Sequence, residues 1–448
     1  MVSVTVLPSA VLEIGGLELL SWATTAYFTA SIACSAAGDW AKARLGLRRA
    51  LGGGALLFMA GSLTCALAPR MALLLAGRFG QGMGAGLVAA LCYGLVRSAF
   101  PPALWARGFA LIAAVWGIAA MAGPALGGVL TELVGWRFAF AALLLPGLLV
   151  MLLALFLPPA AAAGPLPGAP PMLRLLVLAA GIVGIGLAGN LPGVLGPALA
   201  AAAGLALLAA ALRLDRVARR RLFPRGLVSP RATIGRGMLA KLALLLSTMP
   251  TSIYGAFLLQ DRLGAGPLLA GYVIALEAIG WTVGAFASAR LPTRFGNWAM
   301  IGGPLLAIAG IAVTGTALGR GPIALAAGSI TATGLGFGLC WTFIGSRVLA
   351  AAPAGEEDRT AGAIPTIETV GVALGAALAG IGGNALGVAR LSVPGVVPPS
   401  PLPLFLIFVL VAVAGWVAAV ALARTPTRAE ARSADPLAAD AVPAAAPD

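Results

Sequence analysis

Residues 117–128 read GIAAMAGPALGG and lie inside an apolar run, 108–130, long enough to cross a bilayer. Gly123 and Gly127 are four apart, so they share one helix face and admit a neighbouring backbone at close range. Gly117 and Gly128 complete a G-x5-G-P-x2-G-G spacing. Pro124 removes a helix hydrogen bond in its middle, which predicts a bend of the span there. Small-xxx-small pairs occur in many membrane helices, but this fuller spacing is rarer. It reads as a helix built for tight packing in lipid.

Composition agrees. The 448 residues are 60% hydrophobic and only 10% charged, with a mean hydropathy of +1.00. A soluble domain of this size cannot cover that much apolar surface. The net charge of +14 falls mostly in short loops between apolar runs, where it sets topology, so no nucleic-acid partner is expected. Cys34, Cys65, Cys92 and Cys340 lie in apolar runs without CxxC spacing and indicate neither disulfides nor a metal site. The chain has no histidine, which excludes HExxH chemistry and Ser-His or Cys-His nucleophile pairs. Lys42 and Lys241 are the only lysines, and neither ends a GxxxxGK[ST] loop, so ATP-driven transport would need another subunit. No cofactor is expected. Nor is an enzyme, since the acidic residues are scattered.

Spans of about 20 residues fall near 20–37, 50–68, 72–96, 108–130, 137–157, 173–190, 193–212, 237–259, 267–288, 298–317, 322–346, 361–386 and 402–423. Residues 1–12 add a partial span of roughly 18 Å against a core of roughly 30 Å, which Glu13 closes. The expectation is a natural start about 10–20 residues upstream. The fold class is therefore an all-α polytopic bundle of 6+2+6 spans with a truncated first helix. Its expected parts are a six-helix bundle at 1–157, a linker and inserted hairpin at 158–212, and a basic loop at 213–236. A second six-helix bundle at 237–423 and a disordered cytoplasmic tail at 424–448 complete it.

An N-terminus in the cytoplasm puts Lys42, Arg44, Arg48, Arg49, Arg97, Arg107, Arg174, the eight arginines of 213–236, Arg290, Arg294, Arg347 and Arg359 inside. Only Arg70, Arg137, Arg262, Arg320 and Arg390 fall outside. This asymmetry predicts cytoplasmic termini in an inner (plasma) membrane. The 213–236 loop reads as a topology anchor at an anionic leaflet.

Residues 78–86, RFGQGMGAG, place Arg78 about two turns inside a span. An intramembrane arginine is costly and faces a cavity or a partner, unless it snorkels to the outer interface. Gln81 and Gly82 share its face, and Gly84 continues the glycine series. Residues 38–49, GDWAKARLGLRR, carry Asp39, Arg44, Gly46, Arg48 and Arg49, and ARLPTRFGN at 289–297 echoes them. FPPALWARGFAL, VGWRFAF and GLGFGLCWTFIG follow in the later spans. Together these strings resemble the major facilitator superfamily over nearly the whole chain, in its 14-helix drug:proton antiporter branch. In that resemblance 117–128 is the antiporter motif of exporters, 78–86 the fourth-helix motif, and 38–49 the loop between helices two and three. The resemblance implies a proton-coupling role for Arg78. The loop departs from the family pattern, because aligned on Arg44 and Gly46 its aspartate is replaced by Ala43 and the nearest carboxylate is Asp39. A charge latch and a plain topology anchor both remain open for it.

Two carboxylates lie within spans, Glu277 in YVIALEAIGWTVGAF and Glu368 in AIPTIETVGVALG, just beyond a bend expected at Pro365. A carboxylate held in low dielectric exchanges a proton near neutral pH. A neutral, hydrogen-bonded acid that holds helices together is the alternative for either. Gly280 and Gly284 give Glu277 a small face, suited to a cavity or a close helix contact. Asp39 is the reserve coupling acid. Trp22, Tyr27, Trp116, Trp281 and Trp341 are candidate cavity surfaces for an apolar or cationic compound, or simple packing.

The expectation is a monomeric secondary transporter that exports a small apolar or amphipathic compound in exchange for protons by alternating access. A lipid or lipid-linked-metabolite flippase on the same scaffold is the rival within transport. A transport-inactive membrane sensor is the rival outside it.

Overall fold

The computed structural model describes residues 2–15, 20–101, 104–157, 172–188, 191, 195–218, 221–388 and 399–425. The expected linker at 158–171 and nearly all of the tail therefore lie outside the described residues. The first half holds α1 (Val2–Ile14), α2 (Leu20–Ala36), α3 (Gly38–Ala66), α4 (Met71–Ala99), α5 (Trp105–Val134), α6 (Trp136–Ala142) and α7 (Leu144–Leu155). A hairpin of α8 (Met172–Ala188) and α9 (Leu195–Val217) follows. The second half holds α10 (Thr233–Ser247), α11 (Met249–Leu263), α12 (Pro267–Arg290), α13 (Gly296–Arg320), α14 (Ile323–Ala350), α15 (Glu357–Ala385) and α16 (Leu402–Ala423). Each of the thirteen apolar runs coincides with one helix or one helix pair. In lipid a spanning chain must satisfy its backbone internally, and a helix does so within one segment.

The helix pairs mark prolines. Pro146 and Pro250 lack the N–H that would bond four residues back, and in an uninterrupted helix their rings would clash with the carbonyls of Ala142 and Leu246. The helices break beside those carbonyls, at Leu143 and Thr248. Ser247 and Thr248 donate their hydroxyls to Leu244 O and Leu245 O, which satisfies two carbonyls at the break. By contrast α5 runs unbroken through Pro124 and α15 through Pro365.

Glycines set the packing within each half. Residues two apart on a helix are turned by about 200°, so alternate glycines face opposite sides. In α4, Gly80 and Gly84 abut α3 at Gly61 and Gly54, while Gly82 and Gly86 abut α2 at Tyr27 and Ser31. In α14, Gly334 and Gly338 abut α12 at Glu277 and Trp281, while Gly336 abuts α13 at Gly303. The fourth helix of each half is thus sandwiched by the same device, and the halves repeat one plan. They meet along α5 and α12 on one side, and along α2, α4 and α15 on the other.

The hairpin lies across the second seam, with α8 against both α2 and α15. The basic loop after it is folded. Asp215 is buried and accepts hydrogen bonds from Arg174 on α8, from Leu222 N at 2.7 Å and from Phe223 N at 3.0 Å. Leu222, Phe223 and Leu227 enter the main core, and Arg225 pairs with Glu356 at the start of α15. Asp215→Ala would remove the carboxylate from a half-buried guanidinium and strand two backbone donors. A loss of about 3–5 kcal/mol is expected, the scale for breaking a buried pair from one side. Thermal unfolding of the purified protein should show it, and Arg225→Ala, at a more exposed pair, should shift the midpoint little.

Candidate functional site

Four charged or aromatic features, one of them the lone carboxylate Glu277, lie on these elements. The first surrounds Arg78 on α4, which is 7% exposed. Its Nε donates to Ala23 O on α2 at 3.2 Å, and its Nη1 to Gln81 Oε1 at 2.8 Å. The guanidinium lies 4.4 Å from the ring centroid of Tyr27. Gln81 in turn donates to Ser62 Oγ on α3 at 2.8 Å. Arg78 is therefore turned into the first half and ties α2, α3 and α4 together. It makes no ion pair with a described carboxylate, and the structure does not bring it to Glu277.

The second cluster joins the two halves. Lys241 on α10 is fully buried, and its Nζ lies 2.9 Å from Glu368 Oε1 on α15. The other carboxylate oxygen accepts from Tyr93 Oη on α4 at 2.8 Å. The ammonium also sits 3.7 Å from the ring centroid of Trp341 on α14 and 5.8 Å from that of Phe109 on α5. Trp341 meets Trp281 edge-on at 5.0 Å, and Trp281 stacks on Phe337 at 5.6 Å. A salt bridge inside the span region thus has a hydroxyl from the opposite half on its carboxylate and a wall of aromatic rings on its cation.

Glu277 lies on α12 one turn before Trp281. Its carboxyl makes no hydrogen bond or ion pair with a described residue. Gly280 and Gly284 pack on Thr331 and Leu335 of α14, so the small face serves a close helix contact and not a cavity.

The fourth cluster closes the basic end. Lys42 on α3 pairs with Asp358 on α15 at 2.6 Å, Asp39 with Arg359 at 3.5 Å, and Arg97 on α4 with Glu357 at 3.2 Å. Arg97 also donates to Leu349 O, and Ser35 on α2 to Gly362 O at 3.3 Å. Three consecutive charges at the start of α15 thus engage the other half. Asp39 and Lys42 of the 38–49 loop belong to this latch. Arg44 lies over the Trp40 ring at 5.9 Å, Gly46 takes the left-handed φ of 75° that interrupts α3, and Arg48 and Arg49 make no ion pair with a described residue.

The small-residue stretch on α5 contributes to the other seam. Gly117 abuts Thr282 and Ala278 on α12, one turn and more beyond the buried contact of Ala110 with Ala285. Gly123 and Gly127 are buried, and Gly127 O accepts from Thr131 at 2.6 Å. The side chains of Trp116 and Pro124 and the surroundings of Gly128 lie outside what the structure describes. Of the other aromatic candidates, Tyr27 covers Arg78, Trp281 and Trp341 meet at the inter-half cluster, and half-buried Trp22 joins neither.

Sequence reasoning missed Lys241 and Tyr93. Lys241 carries the signal that singled out Arg78, a full charge inside an apolar run, and lies four residues from the start of that run at 237. Nothing in the sequence marks Tyr93.

A family profile described as Major Facilitator Superfamily matches residues 1–376. A protein of Mycobacterium tuberculosis (strain CDC 1551 / Oshkosh) named a "Probable multidrug-efflux transporter" is 35% identical over 404 residues, covering 85% of this chain and 83% of its own length. The multidrug transporter protein MdtP of Bacillus subtilis (strain 168) is 31% identical over 30% of this chain and 25% of its own. Among solved structures, the proton:xylose symporter XylE superposes with a TM-score of 0.63 at 17% identity, covering 93% of this chain and 90% of that one. The human organic anion transporter MFSD10 does so with a TM-score of 0.65 at 16% identity, covering 93% and 89%. These two share the fold.

Proposed function

We propose that this chain, which belongs to the Major Facilitator Superfamily and is a multi-pass membrane transporter, exports a small apolar or amphipathic compound in exchange for protons. The carrying observation is Glu368, bonded at once to Lys241 in its own half and to Tyr93 in the other. A proton on this carboxyl weakens its ion pair to Lys241 and alters the hydrogen bond that links α15 to α4. Protonation state and the fit between the halves are thereby coupled. Glu277 supplies a second carboxylate, and Arg78 a fixed positive charge in the first half. The similarity of this chain to relatives named as multidrug transporters supports drug-like cargo and export.

The basic end is the cytoplasmic one in this reading, because the loops there carry most of the arginines. Reporter tags near residue 225 and after residue 430 should then be cytoplasmic, and one near residue 395 periplasmic. A periplasmic C-terminus contradicts the span count. The protein is proposed to act as a monomer in the plasma membrane, with its site reached from the cytoplasm or the inner leaflet.

Alternating access requires the latch to open in every cycle. Ser35→Cys with Gly362→Cys, in a chain whose own cysteines are serine, places two thiols across it. Oxidation should stop transport of a fluorescent substrate in proteoliposomes, and reduction should restore it. Unimpaired transport in the fully cross-linked protein contradicts the reading.

A further inference from the structure

A carboxylate beside indole and phenyl rings in a water-poor site is the chemistry that recognises organic cations, including quaternary ones. At Glu368 that place is taken. The Lys241 ammonium lies 2.9 Å from the carboxylate and 3.7 Å from the Trp341 centroid, and it is fully buried. We infer that Lys241 is a tethered cation that sets substrate specificity, excluding permanently cationic compounds and leaving the site to neutral or anionic amphiphiles. The inference rests on the reading of the chain as a transporter with its site between the halves.

Two observations carry it beyond a single contact. Lys241, Trp341 and Glu368 lie on α10, α14 and α15, which pack on one another within the second half. A rocking motion that withdraws Tyr93 and Phe109 with the first half therefore leaves the lysine, its ring and its carboxylate together. The occupant stays in place when the site opens. The pair is also neutral as it stands, so an added organic cation brings one uncompensated charge into low dielectric. A further buried cation, Arg78, has no described carboxylate partner and adds to the same bias.

The test measures binding of radiolabelled tetraphenylphosphonium to the purified full-length protein in detergent, without any gradient. Wild type should bind it weakly. Lys241→Met should bind it at least tenfold more tightly, and the further change Glu368→Gln should remove the gain. Affinities of wild type and Lys241→Met within threefold of each other overturn the inference. So does tight wild-type binding that is lost in Glu277→Gln, which would place a cation site on α12. If Lys241→Met does not fold, Lys241→Gln takes its place. If neither folds, the wild type decides alone, because tight binding there overturns the inference and its absence supports it. Proton-driven efflux by the wild type is scored separately, so a failure of the transport reading is distinguishable from a failure of this one.

Discussion

Glu368→Gln should abolish proton-driven efflux while substrate counterflow, which needs no net proton transfer, largely persists. Glutamine keeps the size and one acceptor oxygen but cannot release a proton. The expected loss is about 100-fold or more, the scale on which removing a positioned proton-transferring group acts. The substitution also leaves Lys241 buried without its counter-charge, at a cost of about 3–5 kcal/mol. A simple loss of stability would mimic a loss of coupling. The double variant Lys241→Met with Glu368→Gln separates them, because it removes both charges and should recover much of the thermal midpoint while remaining uncoupled. Recovery of proton-driven efflux in that double variant would reduce the pair to a scaffold. Glu277→Gln is the comparison. Full proton-driven transport with Glu277 and Glu368 both changed to glutamine would eliminate both as obligatory carriers and move suspicion to Asp39.

The second large effect is on folding. Gly86→Val and Gly338→Val should each abolish recovery of monodisperse protein. A Cβ at Gly86 runs into the Ser31 carbonyl of α2, and one at Gly338 into the Trp281 carbonyl of α12. Those neighbours are backbone, which cannot rotate aside as a side chain would. Overpacking a core costs about 1–3 kcal/mol per site when side chains can adjust, and more when they cannot. Gly53→Val, on α3 with open space beside it, is the control and should purify normally. Size-exclusion profiles of the three variants decide it, and a monodisperse peak from Gly86→Val would contradict the sandwiched packing of α4.

The span pattern was legible because lipid imposes one rule on every segment, and an apolar run of sufficient length has few alternatives to a helix. The glycine spacing of 78–86 was legible for the same reason, since a backbone contact leaves its mark on residue type. Helix breaks were less so. Pro124 and Pro365 carry the same chemistry as Pro146 and Pro250, yet only the latter pair interrupts a helix. Whether a proline ends a helix depends also on what packs beside it, and that influence is absent from local sequence. The site was half legible. Arg78, Glu277 and Glu368 stand out as charges in apolar runs, but which of them acquires a partner depends on how the halves meet. Lys241 reaches Glu368 from 127 positions away in the chain, and Tyr93 from 275 positions away. Asp39, displaced from the position the resemblance assigns to an acid, nevertheless engages α15, because one turn of helix α3 suffices to bring it to Arg359.

Inside-out vesicles carrying the protein, loaded with an imposed proton gradient and a pH-sensitive dye, give the most direct reading of proton-coupled export. A panel of neutral, anionic and cationic amphiphiles is added in turn, with vesicles lacking the protein as the blank. At least one compound should be accumulated against its gradient and should discharge protons as it moves, and a protonophore should stop its accumulation. Accumulation that continues undiminished after the proton gradient is collapsed would contradict proton-coupled export.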